Sequence, residues 1–162
     1  MSYQRTGRPP INRLAGILGV ASVWTVDPTN LVRCTDGNFE NMTGEGTKNV
    51  AAWTQAGQLD FDLLGVYSLL VRGKFRLRNN DAGGSKVNFY LYGSIDGATW
   101  VPTDPVKDQT ALSITLTNQV ADLFLNAFLR ARYIRIQWFS AGNACIVSGA
   151  VWEIEALDFG LT

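Results

Sequence analysis

Apolar and polar residues alternate along most of this chain, and the alternation marks where strands form. Leu59, Phe61 and Leu63 are interleaved with Asp60 and Asp62, a period of two that predicts a strand with one buried face. The period returns with Leu69, Val71, Gly73, Phe75 and Leu77 set against Leu70, Arg72, Lys74, Arg76 and Arg78. The cationic side of that strand must face solvent or an anionic partner. Val87, Phe89 and Leu91 share one face and Asn88, Tyr90 and Tyr92 the other. Leu112, Ile114 and Leu116 oppose Ser113, Thr115 and Thr117, and Ile134, Ile136 and Trp138 oppose Tyr133, Arg135, Gln137 and Phe139. Residues 31–34 read as a short strand. Residues 121–130 are too short a run for periodicity to choose between a helical turn and a strand.

Turn chemistry separates these runs. Asp27-Pro28-Thr29-Asn30 initiates a turn, residues 35–49 form a long loop dense in Gly, Asn and Asp, and residues 101–110 form a loop with two prolines. Residues 79–86 read as a hairpin-type loop in which Gly83 and Gly84 supply positive φ. No repeat, linker or composition break interrupts the chain. Short strands between Gly/Pro turns predict an all-β fold, a jelly-roll sandwich of about eight antiparallel strands. Residues 1–30 are expected to form an extended N-terminal arm and residues 31–162 the sandwich.

Apolar residues make up 46% and charged residues 17% of the 162, which suits one globular domain burying roughly two thirds of its unfolded surface. Lys plus Arg and Asp plus Glu both count 14, so nucleic-acid binding through bulk charge is not expected. No apolar run approaches the roughly 20 residues that span a bilayer as a helix, and no membrane partner is expected. Histidine is absent, which removes Ser-His-Asp and Cys-His nucleophile systems and His-ligated zinc. Cys34 and Cys145 are too few for a four-sulfur metal site; two buried free thiols and a single bridge both stay open. Asp60 with Asp62, and Glu153 with Glu155, stand at i, i+2, about 7 Å apart by strand rise, a glycosidase-like separation that alternating acids on a solvated face also show. The Gly44-Glu45-Gly46 run lacks the Lys and Ser/Thr of a phosphate loop. No enzymatic activity is expected.

The N-terminal segment imitates a leader. Arg5, Arg8 and Arg13 precede or enter an apolar stretch, and Gly19-Val20-Ala21 resembles a cleavage site. That stretch is short and interrupted by Gly16 and Gly19, with Pro9-Pro10 in front. The expectation is a retained basic arm that docks on its own domain or on a neighbouring subunit, with Arg5, Arg8 and Arg13 as its contacts.

The string Ser94-Ile95-Asp96-Gly97-Ala98-Thr99-Trp100 ends one strand and opens the next. Asp96 can bond the backbone two residues on, and Gly97 accepts the left-handed conformation of a tight turn. Joined in order to residues 61–65 (FDLLG), 131–136 (ARYIRI) and 152–157 (WEIEAL), this string resembles discoidin, or coagulation factor 5/8 C-type, domains. These belong to the galactose-binding-like jelly rolls and bind rather than catalyse. The resemblance covers residues 31–159 and leaves the arm aside. It implies a structural calcium ion held by the Asp36 carboxylate, the Asn38 backbone carbonyl and the Glu153 carboxylate, since calcium takes about six to eight oxygens. The nearby Thr of the family pattern is displaced to Thr43 or replaced by Asn41. An Asx-stabilised turn with Glu153 in solvent or paired with an arginine fits the same residues. The family often ties its ends with a bridge such as Cys34–Cys145 would make. Its sugar binders use loop His, Arg and Asn beside a stacking aromatic, and its lipid binders carry apolar loop spikes. This chain has no His, and its 79–86 loop is small and polar.

Two functional expectations follow. A chain beginning at Met1 with a basic, proline-containing arm is expected to be a virion component, a capsid decoration or tail protein of a bacteriophage. It would dock on other virion proteins, and on copies of itself, through its arm and sandwich edges. The alternative is a carbohydrate-binding module for cell-surface glycans, secreted or extracellular.

Overall fold

The computed structural model describes residues 9–79, 85–102, 111–114, 119–141 and 144–160. Among them are nine strands: β1 (Ile11–Asn12), β2 (Val20–Ser22), β3 (Gly46–Val50), β4 (Gln55–Asn79), β5 (Ser85–Ser94), β6 (Val101–Pro102), β7 (Ala111–Ile114), β8 (Gln119–Ala141) and β9 (Cys145–Asp158). Every pairing is antiparallel. The fold is the expected all-β jelly-roll sandwich.

Two strands run through both layers. Residues 55–62 of β4 pair with residues 133–139 of β8, flanked by β2 and β5. Residues 67–79 of β4 pair with residues 119–131 of β8 and with β9. The register shifts between Asp62 and Tyr67, where Leu64 takes φ 63° and its N–H donates to Asp62 Oδ1 at 2.8 Å. A bulge of this kind bends a strand and increases its twist, which lets β4 leave one layer and enter the other. What the alternation presents as two strands, 59–63 and 69–78, is therefore one bent strand.

The predicted inner faces form the core: Leu59, Phe61, Ile134, Ile136 and Trp138 in one layer, and Leu69, Val71, Phe75 and Leu77 in the other, are all buried. Phe75 and Phe89 meet with ring centroids 4.5 Å apart, Phe89 meets Trp138 edge-on at 5.2 Å, and Trp138 meets Trp24 at 5.3 Å. Such tilted aromatic pairs add to the area they bury. Residues 9–30 share in this core. β1 pairs with β9, β2 pairs with β4, and Leu14 and Trp24 are buried.

Several local expectations are corrected. Residues 31–34 lie in a 3-10 helix, Leu31–Thr35, not a strand. Asn30 at φ 54° reverses the chain there, and the Arg33 N–H closes back on the Asn30 carbonyl at 3.0 Å. The polar loop after it ends early, because β3 (Gly46–Val50) pairs with β9. Among the described residues β4 and β5 are not hydrogen-bonded neighbours, so they do not form a hairpin pair, and the loop between them, with Gly83 and Gly84, lies outside the described residues. The ambiguous 121–130 run is strand, since β4 supplies a partner for all of it. Cys34 and Cys145 are both buried free thiols, which closes the bridge alternative. Burial pushes the Cys34 thiol up to about 12, and the nearby Glu153 charge adds to the effect.

Candidate functional site

The turn after β5 is built as its residues suggest. Ser94 Oγ donates to Asp96 Oδ1 at 3.0 Å and accepts the Gly97 N–H at 2.9 Å. Asp96 Oδ1 also accepts the Ala98 and Thr99 N–H groups at 2.9 and 2.8 Å, and Gly97 stands at φ 77°. The Thr99 and Ala98 amides, with the Ser94 hydroxyl, hold the Asp96 carboxyl down at about 2. The turn delivers Trp100 onto β8. There the Arg135 guanidinium carbon lies 3.7 Å from the indole centroid.

Arg135 also forks onto Asp60 across the strand pair, with Nε to Oδ1 at 2.7 Å and Nη2 to Oδ2 at 2.8 Å. Gln58 Nε2 donates to Asp60 Oδ2 at 2.9 Å, and Gln137 Nε2 donates to Gln58 Oε1 at 2.8 Å. Beside them Arg132 forks onto Asp62 with two bonds of 2.9 Å, and its guanidinium lies 4.8 Å from the Tyr133 ring centroid. The hydrogen bond from Arg132 holds the Asp62 carboxyl below the usual carboxylate range. Trp100, Tyr133, Arg135, Asp60, Asp62 and Asp96 line an open cleft of about 490 Å³, with Val20, Phe61 and Gly97 completing it. Farther along the outer face of β5, Tyr90 packs against Tyr92 at 6.1 Å and edge-on against Phe139 at 5.6 Å.

Among the described residues the acids at 60 and 62 are engaged within the chain. Asp60 and Asp62 are each saturated by an arginine fork, so their face is an ion-paired ladder and not simply a solvated one. The second acid pair is split: Glu155 pairs with Arg72, while Glu153 is fully buried. Retaining and inverting glycosidases alike need one carboxyl free to donate a proton. What the cleft offers is two aromatic rings beside forked donors and acceptors, a combination that fixes hydroxyl-rich ligands.

The residues implied as calcium ligands come together at the far edge of β9. The register shift between Lys74 and Phe75 accompanies the burial of Glu153, whose Oε2 accepts the Gly37 N–H at 3.1 Å. Its Oε1 is buried with no hydrogen-bond partner among the described residues. Burial raises the Glu153 carboxyl to about 7; the Asp36 and Glu155 charges add to this, and the Gly37 and Asn38 amides oppose it. Asp36 Oδ1 accepts the Asn38 N–H at 2.8 Å, and Asn38 Oδ1 accepts the Glu40 N–H at 2.9 Å. The Asx-stabilised turn is thus present, but Glu153 is neither solvated nor paired with an arginine. The donor set suits a hard, oxygen-seeking cation: the Asp36 and Glu153 carboxylates, the latter with one orphaned buried oxygen. Among the described residues no three acids or thiols cluster here, so backbone carbonyls and water would complete any shell.

Of the three arm arginines, Arg13 binds Asp158 Oδ2 through Nε at 3.0 Å and Nη2 at 2.7 Å, and stacks 4.2 Å from the Tyr67 ring centroid. Arg5 and Arg8 lie outside the described residues. In the Asn41-Met42-Thr43 sequon, Thr43 is buried and its Oγ1 accepts the Val151 N–H at 3.1 Å.

No family model matches this chain, and no curated protein matches it. Solved structures are similar to it. A CBM32 module from a family 31 glycoside hydrolase of Clostridium perfringens aligns at 15% identity and TM-score 0.49, over 96% of this chain and 99% of that one. Another CBM32 module from Clostridium perfringens, in complex with GlcNAc-α-1,4-galactose, aligns at 15% identity and TM-score 0.49, over 97% and 100%. A chitosan-binding module from a chitosanase/glucanase of Paenibacillus sp. IK-5 aligns at 16% identity and TM-score 0.45, over 93% and 99%.

Proposed function

We propose that this chain is a non-catalytic carbohydrate-binding domain whose ligand lies in the cleft of Trp100, Tyr133 and Arg135. The observation that carries the reading is the convergence there of aromatic rings with the forked Arg135–Asp60 pair, in a cleft of about 490 Å³. A pyranose presents an apolar C–H face and a rim of hydroxyls, and these two kinds of group match the two halves of it. Among the described residues Asp60 and Asp62 are each forked by an arginine, and Asp96 is the cleft carboxylate without one, which leaves a small acidic excess there. Neutral and amino sugars are the fitting class, and sialic acids and uronates are disfavoured. Calorimetric titration with neutral, amino and acidic oligosaccharides tests this. Binding confined to the first two supports it, and silence across all three overturns it.

The cation reading is proposed beside it: Asp36, the Asn38 carbonyl and Glu153 hold a structural calcium ion that pins the loop after the 3-10 helix to β9. The orphaned, buried Glu153 Oε1 supports this. The virion reading gains nothing from Arg13, which is bound to Asp158 within the chain.

A further inference from the structure

Residues 121–131 read Ala-Asp-Leu-Phe-Leu-Asn-Ala-Phe-Leu-Arg-Ala, a sequence nearly symmetric about Asn126. Phe124 mirrors Phe128, Leu123 mirrors Leu129 and Ala121 mirrors Ala131. Asp122 mirrors Arg130, so the symmetry exchanges an acid for a base. Leu125 against Ala127 is the one other departure. When a strand pairs antiparallel with a copy of itself, residues equally far from the centre lie opposite one another. A strand of this sequence would set phenylalanine against phenylalanine and aspartate against arginine, both stabilising cross-strand pairs.

Among the described residues the strand has an edge left to do so. Residues 119–131 of β8 pair with β4 along one edge, and β5 takes up the other edge only from Tyr133 onward. Among the described residues no strand occupies that second edge before Tyr133. Phe124 is 72% and Phe128 78% exposed, the most exposed phenylalanines among the described residues. On the inner face Leu125, Ala127 and Leu129 are only partly buried against the core. Edge strands are normally guarded by charges that repel a copy of themselves. Here the charges attract. Arg130 has no ion-pair partner among the described residues. Asp122 is forked by Arg76 at 2.8 and 2.9 Å, so an arginine arriving opposite would extend that pair into a network.

We propose that this chain forms a two-fold dimer in which residues 121–131 of β8 pair antiparallel with the same residues of a second copy, centred on Asn126. The dimer continues one layer of the sandwich into its mate and covers Phe124 and Phe128. It stands independently of the glycan reading, because none of residues 121–131 lines the Trp100 cleft.

Sedimentation over a wide concentration range, with the N126C variant as a cross-linking probe, tests the proposal. The expected mass is twice the 17.8 kDa of one chain. R130D, which sets acid against acid, and F128K, at an exposed site, should each weaken dimerisation at least ~10-fold with unchanged circular dichroism. N126C should oxidise to a covalent dimer, because self-paired Cα atoms lie about 4.5–5.5 Å apart, within disulfide reach. N49C, exposed on β3, should not. A monomer at every concentration with no N126C cross-link overturns the proposal. So does a dimer that R130D and F128K leave unchanged.

Discussion

The Arg135 guanidinium stacks 3.7 Å from the Trp100 ring centroid while its edge forks onto Asp60. One side chain therefore orients the aromatic wall of the cleft and its acidic floor together. Guanidinium is planar and can stack and fork at once, which an ammonium cannot. R135K should keep the charge and lose the geometry, weakening glycan affinity ~10-fold. Because the Arg135–Asp60 pair is partly exposed, stability should fall by less than about 1 kcal/mol. Parallel calorimetry and urea melts separate the two effects.

The Asp96 turn predicts a similar split. D96A removes the acceptor for the Ala98 and Thr99 amides, and Trp100 then loses its fixed approach to β8. Glycan affinity should fall while the core near-ultraviolet signal persists. A carboxyl depressed to about 2 contributes stability above its unfolded value, lost only as pH falls through that value toward 2. The affinity of the intact protein should accordingly be flat from neutral pH down to mildly acidic pH.

Glu153 gives the opposite sign. Its carboxyl rises from 4.5 unfolded to about 7 folded, so the native state binds more protons between these values. Stability should be greatest below the lower value and decline as pH climbs toward 7, by up to about 3 kcal/mol. E153Q should flatten the decline and raise metal-free stability at neutral pH. Calcium should raise the melting temperature of the wild type above pH 7 and leave E153Q unmoved. No calcium effect on the wild type would refute the ion site.

Trp24 ties residues 9–30 to the core and leaves no room opposite. A Cβ at Gly57 would come within 2.0 Å of its indole ring. G57A should cost about 1–3 kcal/mol by overpacking, and W24A about 3–5 kcal/mol by opening a cavity. Urea denaturation measures both.

The layers of the sandwich were legible because inward residues keep period two in β5 and within each half of β4 and β8. The bend in β4 was not, since its cause is the positive φ of Leu64, a residue type that carries no turn signal. The cleft was half legible. The sequence placed Trp100 and the Asp96 turn, but the Asp60–Arg135 fork depends on cross-strand register, which alternation leaves unset by steps of two. Acids at 60 and 62 facing arginines at 132 and 135 are the signal that bears on it. Asp36, Asn38 and Glu153 do converge, yet the burial of Glu153 goes with a register shift in β9 that no residue of that strand announces. The extra β3 was missed because it is short and needs the β9 edge as its partner, and the 3-10 helix because one turn leaves too short a run for periodicity to read.

Titration of a neutral oligosaccharide panel into the wild type, W100A and W53A decides whether the Trp100 cleft binds glycans. Trp53 is 72% exposed in the turn before β4 and does not line the Trp100 cleft, so it is the control aromatic. A glycan seated on Trp100 gives wild-type binding, at least ~10-fold weaker binding by W100A and no change for W53A. Binding that disappears with W53A and survives W100A would contradict it, as would no binding at all.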